Sequence, residues 1–186
     1  MHKRRRPPRE ATLVVHRALA KRFGRYDSTA INCAMPIFGV PAKTRGIDSA
    51  LRRARLVGWV YGIRLRRGYG VVEVHRFGSH YRFASFSKGS SGSVLIPHLR
   101  NGHTPPPRGR SLLRVLRAPQ FDFLGLWYRD RAGDLVKPLG PSPLERSQGW
   151  IEWTDAVPHL RKVVDARRGF DDRPVRAQKA STFVLT

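Results

Sequence analysis

Residues 43–60 combine a helical spacing of apolar side chains with a run of arginines, and this combination restricts what the segment can form. Apolar residues recur every three or four positions at Ile47, Leu51, Ala54 and Val57. This is the spacing of one face of an amphipathic helix, so the intervening arginines project from its other faces. The segment therefore predicts a helix with a buried side and a guanidinium side, ended by Gly58.

Two shorter patterns predict helices before this segment. An apolar stripe runs from Glu10 to Phe23, and Gly24 ends it. A second short helix, capped by Asp27 or Ser28, carries Ile31, Ala34 and Met35 and is limited by Pro36.

After Gly58, alternation of apolar residues predicts strands rather than helix. The expected strands cover residues 59–65 and 71–77, with an arginine-rich turn at 66–70, and a third strand covers residues 81–86. Three helices followed by such a hairpin resemble a winged helix-turn-helix domain over about residues 10–86. The resemblance rests on Gly39-Val40, on Ala50-Leu51-Arg52-Arg53-Ala54 and on Gly58-Trp59-Val60.

This resemblance implies that the third helix enters the major groove, where an arginine can pair with guanine O6 and N7. It also implies that the wing arginines contact phosphate or the minor groove. Tyr69 is open between a phosphate or sugar contact and packing within the wing. With a basic arm added, the predicted DNA-binding residues are Arg4, Arg5, Arg6, Thr44, Arg45, Asp48, Ser49, Arg52, Arg53, Arg55, Arg64, Arg66, Arg67 and Tyr69.

The net charge independently indicates a polyanionic partner. The chain has 36 Lys and Arg against 13 Asp and Glu, a formal charge of +23. Such an excess repels itself unless a polyanion relieves it. The charge alone fits DNA, RNA or an anionic membrane surface, and no apolar run approaches the roughly 20 residues that span a bilayer. Nucleic acid is the predicted partner and no membrane is expected, with duplex DNA favoured over RNA.

Composition divides the chain into five expected segments. These are a disordered basic arm at 1–9, a winged-helix-like domain at 10–86, a linker at 87–110, a small α+β module at 111–170 and a tail at 171–186. Ser-Gly and Pro-rich stretches define the linker. The fold class expected is therefore α+β, and the C-terminal module is expected to form a homodimer or bind a protein partner.

Cysteine chemistry, metal binding and catalysis have less basis in the sequence than nucleic-acid binding. The single cysteine, Cys33, excludes an intrachain disulfide and a cysteine-based zinc finger, and it favours an intracellular protein, cytoplasmic or nucleoid-associated. No cofactor and no metal are predicted, since the histidines at 75, 80, 98 and 103 match no structural zinc spacing. Five acids could in principle serve a magnesium-dependent nuclease: Asp122, Asp130, Asp134, Glu145 and Glu152.

The function predicted from these patterns is sequence-preferring binding of double-stranded DNA. The setting expected is a regulator or a replication-initiation factor, of a phage or a mobile element. The alternative is a structural nucleic-acid-binding protein, such as a capsid or ribonucleoprotein component, and a small nuclease is a third hypothesis. Binding without catalysis is favoured.

Overall fold

The computed structural model describes residues 6–24, 31–44, 46–88, 113–129, 132–139, 144 and 149–171. Its helices are α1 (Arg9–Phe23), α2 (Ala50–Arg53) and α3 (Trp153–Asp171), with short 3-10 helices at Ile47–Ser49 and Pro119–Phe121. Its strands are β1 (Ile31–Gly39), β2 (Arg55–Arg64), β3 (Tyr69–Phe77), β4 (His80–Lys88), β5 (Leu113–Ala118), β6 (Phe123–Arg129), β7 (Asp134–Pro138) and β8 (Ile151–Glu152).

The eight strands form one mixed sheet in the order β4-β3-β2-β1-β5-β6-β7-β8. Strands β1 to β4 pair as an antiparallel meander, and β5 to β8 pair as a second one. The two meanders meet where β1 and β5 run parallel, with Ile37–Gly39 opposite Val115–Arg117.

The prediction of an N-terminal winged-helix-like domain with three helices is wrong. Helix occupies only residues 47–53 of the segment expected to carry DNA-contacting arginines; Ala54 is extended and Arg55 begins β2. The prediction that Ile47 and Leu51 lie on a buried side of this segment is correct, since both are buried. The β-branched and aromatic residues that follow favour a strand instead.

The short helix expected around Ala34 is also absent, because residues 31–39 form the central strand β1. This strand pairs with β2 on one side and with β5 on the other. Pro36 lies opposite Trp59 of β2, and the pairing with β5 begins only at Ile37, so its missing N–H interrupts no ladder on the β5 side. Tertiary pairing therefore decides the conformation against the local pattern.

Elements set by strong local periodicity are found where they were expected. The first helix, the hairpin of β2 and β3 and the strand β4 all occupy their predicted segments within a few residues. The linker expected at 87–110 lies almost wholly outside the described residues.

Both long helices pack on the same face of the sheet. Ala34 packs against the buried cluster that includes α1, and Phe38 packs against the one that includes α3. The two residues lie four apart on β1, where the register shift after Ile37 comes from an extra residue on β2, Val57. Beneath α1 are Trp59, Tyr61 and Val72; beneath α3 are Phe123 and Trp127. Full burial of side chains of this size contributes about 1.5–3 kcal/mol each.

The opposite face also holds a buried cluster. Ile37, Val60, Val115 and Leu126 are almost wholly inaccessible there, and Leu139 joins them. Among the described residues, none of the helices is long and apolar enough to cross a membrane.

Candidate nucleic-acid interface

The two sets of arginines assigned to the helix and the wing lie at opposite ends of β2. Arg55 is its first residue and Arg64 its last. Ten residues at about 3.4 Å each span roughly 30 Å. Arg52 and Arg53 therefore cannot share a contact surface with Arg66 in the way that a winged helix requires, although all these side chains are exposed.

Three of the residues expected to contact bases are used by the fold itself. Thr44 is buried. Asp48 accepts hydrogen bonds from Arg161 Nη2 at 2.9 and 3.1 Å, and Ser49 Oγ donates to the Gly46 carbonyl at 3.0 Å.

The remaining predicted DNA-binding positions differ in how far their side chains are exposed to solvent. Tyr69 is half-buried against the cluster on the opposite face of the sheet. Arg6 is exposed. Arg4, Arg5 and Arg45 lie outside the described residues.

A different group of cations and rings lies between α1 and the edge strand β4. We call it the α1–β4 surface, and it comprises Arg17, Lys21, Arg22, Phe23, Phe83, Phe86 and Lys88. On α1, positions 17, 21 and 22 lie beside the buried stripe of Ala11, Val15 and Leu19, so they stay exposed while the helix is anchored.

A β-bulge places the rings of β4 on the side of the sheet that α1 covers. Phe83 is opposite Val74 and Phe86 is opposite Val72, with Ala84 as the extra residue. Both valines face α1, so both phenylalanines do as well. In a regular strand, two residues three positions apart would face opposite sides.

Cations lie over these rings. The Arg22 guanidinium carbon is 4.8 Å from the centroid of Phe86, and Lys88 Nζ is 5.8 Å from that of Phe23. The Phe23 and Phe86 rings meet edge to face at 5.3 Å. Each such contact favours the observed arrangement of rings and cations by about 0.5–1.5 kcal/mol.

The turn between β2 and β3 lies at the same end of the sheet. Lys88 pairs with Gly70, and Arg64 pairs with Tyr69, the neighbour of Gly70. The exposed Arg66 and Arg67 of the turn therefore adjoin the C-terminal end of β4. The structure thus brings the predicted wing arginines next to the α1–β4 surface and not next to α2.

The positive charge of the α1–β4 surface and the adjoining turn is not compensated by nearby acidic residues. Within the described part of residues 6–88, there are fifteen Lys and Arg and three Asp and Glu. Glu10 contacts His80 Nδ1 and the Tyr81 N–H, both at 3.3 Å. Asp48 pairs with Arg161, and Glu73 pairs with Arg117. Each described acid of this region is therefore engaged away from the cations of the surface.

A groove of about 610 Å³ runs along the α1–β4 surface. Its apolar part consists of Val14, Ala18 and Phe83, and its polar part consists of Arg17, Lys21 and Arg22. Phe83 is 45% exposed. This site was not predicted from the sequence, although Lys21-Arg22-Phe23 and the phenylalanines of β4 are the residues that would have indicated it.

A second polar cluster lies on the opposite face of the sheet. Arg117 Nη2 donates to both carboxylate oxygens of Glu73, and Arg117 Nη1 is 3.4 Å from His75 Nε2. His75 therefore belongs to an ion-pair network, while His80 contacts Glu10. Positions 98 and 103 lie outside the described residues.

Of the acids considered for a nuclease, Asp134 has a structural role. Asp134 accepts a hydrogen bond from Trp127 Nε1 at 2.8 Å and lies 3.5 Å from Arg129 Nε. Asp130 and Glu145 are outside the described residues. Over the part of the chain that the structure describes, no three His, Cys, Asp or Glu side chains are grouped to hold a metal ion.

The chemistry of these side chains is the basis on which a function can be argued. No protein-family model, no curated protein and no solved structure matches the chain.

Proposed function

We propose that the protein binds nucleic acid through the α1–β4 surface and the adjoining turn between β2 and β3. The observation that supports the proposal is the mixture of exposed cations and aromatic rings at one end of the sheet, with the nearby acids engaged elsewhere. Cations neutralise phosphates and release their counterions. Exposed rings provide faces on which bases stack.

The mode of binding proposed here differs from insertion of a helix into a groove. The only helix in residues 47–53 is short, and its arginines lie at the far end of β2. Roles as a regulator or a replication-initiation factor, and a preference for particular sequences, stay predictions. So does association through the C-terminal part of the chain.

Fluorescence anisotropy with a labelled oligonucleotide of about 16 nucleotides tests the proposal. The test variant replaces Arg17, Lys21 and Arg22 together by Gln. We expect affinity to fall at least about 10-fold, and the slope of log K against log salt to flatten by about two, since three phosphate contacts contribute about 0.7 each on a single strand.

The matched control replaces Arg52, Arg53 and Arg55 by Gln, which removes the same charge from the other end of β2. We expect this variant to lose less than about 3-fold in affinity, with little change of slope. Equal losses in the two variants would show that net charge alone attracts the oligonucleotide. Absence of binding by the unaltered protein would refute the proposal outright.

A further inference from the structure

We infer that the groove along the α1–β4 surface binds an unpaired base, so that the protein prefers single-stranded to double-stranded nucleic acid. This inference rests on the proposed function and names the class of ligand at that surface. It comes from one exposed ring, Phe83, and from the cations that border it.

Phe83 differs from the other rings of the surface. Phe86 is covered by the Arg22 guanidinium and the edge of Phe23. Among the described residues, Phe83 has no aromatic or cationic partner, and nearly half of its surface is exposed. A ring with an accessible surface beside an apolar groove is suited to stack on another flat ring.

The groove supplies both parts of a nucleotide site. Val14 and Ala18 give it an apolar floor, and the three cations of α1 border that floor. On a helix, Arg17 and Lys21 are one turn apart, about 6 Å along the axis, so the cations form a row beside the groove. A base on Phe83 would leave its phosphates next to this row.

Stacking in the groove requires a base whose faces are free. In a duplex each base lies between its neighbours, and extrusion of one base costs a few kcal/mol. A duplex can reach the cations but not the ring. A single strand can reach both, and alanine substitution of such stacking residues shows that each stacked base strengthens binding substantially.

The experiment compares a single strand with a hairpin duplex of the same sequence, by anisotropy at one salt concentration. The unaltered protein is expected to bind the single strand at least about 10-fold more tightly. Phe83→Ala should weaken binding of the single strand about 10-fold and leave the affinity for the duplex within about 2-fold. Phe83→Trp should restore single-strand binding.

Phe77→Ala is the matched control. Phe77 is a 55% exposed ring at the end of β3, outside the groove, and its described cation contact is with Arg82. We expect this variant to bind both nucleic acids within about 2-fold of the unaltered protein. Circular dichroism melting of each variant checks that the fold is intact.

The outcomes separate this inference from the proposed function. If neither nucleic acid binds, the proposed function is wrong and the inference falls with it. If both bind equally and Phe83→Ala changes neither, only the inference is overturned. An apolar floor with a cationic border also suits a fatty acid, so oleate is added as a competitor; binding of oleate with no single-strand preference would likewise overturn it.

Discussion

Arg117 and Glu73 form an ion pair although two other strands lie between β5 and β3. Arg117 Nη2 donates to the two carboxylate oxygens at 2.5 and 2.6 Å. Three inter-strand steps of about 4.8 Å separate the two backbones by about 14 Å in a flat sheet. Gly39 lies opposite Arg117 and has no side chain, whereas Glu73 lies opposite Val60.

Loss of this pair should weaken the fold. Glu73→Gln leaves a partly buried guanidinium without its counter-charge, and we expect the free energy of unfolding to fall by about 1–3 kcal/mol. Urea denaturation followed by tryptophan fluorescence measures the change. Asp48→Asn is the control, because Asp48 and Arg161 are 65% and 53% exposed and such a pair contributes at most about 1 kcal/mol. A larger loss in the control would contradict this account.

Gly58 is required by the close approach of β3. A Cβ atom at this position would lie 2.2 Å from the Val74 carbonyl oxygen, and neither backbone can move without breaking strand pairing. Gly58→Ala is therefore expected to cost at least about 3 kcal/mol in unfolding free energy. Gly149→Ala, where the added atom meets nothing within 4 Å, should stay within about 0.5 kcal/mol. Similar denaturation midpoints for the two variants would be inconsistent with the strand spacing described.

The buried phenol of Tyr61 makes stability depend on pH in the alkaline range. Desolvation raises the pKa of Tyr61 to about 12, the hydrogen bond with Thr12 at 3.4 Å opposes this, and Tyr81 adds to it. The folded pKa is above that of the unfolded chain, about 10, so the stabilisation is complete below pH 10 and is lost as the pH rises through 12.

We expect this single group to remove up to about 3 kcal/mol between pH 10 and 12. Denaturation at several pH values, with tyrosinate absorbance recorded in parallel, measures the fall. In Tyr61→Phe the free energy of unfolding should fall less steeply over the same interval, because the titrating phenol is gone. Some decline should persist, because other groups still titrate. An identical decline in the variant would exclude Tyr61 as its source.

Asp134 is expected to stabilise the fold rather than catalyse a reaction. Its carboxylate satisfies the indole N–H of Trp127, which is buried. Asp134→Ala should lower the free energy of unfolding by about 1–3 kcal/mol, because a buried donor loses its acceptor. Asp155→Ala, an exposed change in the first turn of α3, should cost about 0.3–1 kcal/mol. Chemical denaturation of the two variants side by side distinguishes these outcomes.

The sequence pattern correctly predicted those elements whose contacts are mostly between residues close together in the chain. The stripe of α1 and the alternation around Gly68 were interpreted correctly, because a helix and a tight hairpin make most contacts locally. The helix predicted in residues 31–39 was wrong, because these residues are extended by pairing with β2 and with β5, which begins more than 70 residues later. Residues 55–57 were assigned to a helix because Val57 fits both periodicities.

Of the candidate site, only the positive charge was predicted from the sequence. An excess of cations follows from composition, and the arginines of the hairpin were identified from their turn. The contribution of Phe83 and Phe86 depends on the bulge at Ala84, since three residues of regular strand would turn one ring away from α1. No pattern in a single sequence marks the position of that extra residue.

The parallel pairing of β1 with β5 has a consequence for how the sheet assembles and opens. Each meander needs contacts only between neighbouring strands, whereas Ile37 and Val115 must find each other across 78 positions of chain. Closing so long a loop costs more entropy than pairing neighbouring strands within a meander. The β1–β5 pairing, which forms the seam between the meanders, is therefore expected to form last during folding. Once formed, the seam is held by more than its three residue pairs, because the buried cluster of Ile37, Val60, Val115 and Leu126 and the Arg117–Glu73 ion pair both extend across it. Hydrogen exchange should therefore detect the two meanders opening together, as one cooperative unit.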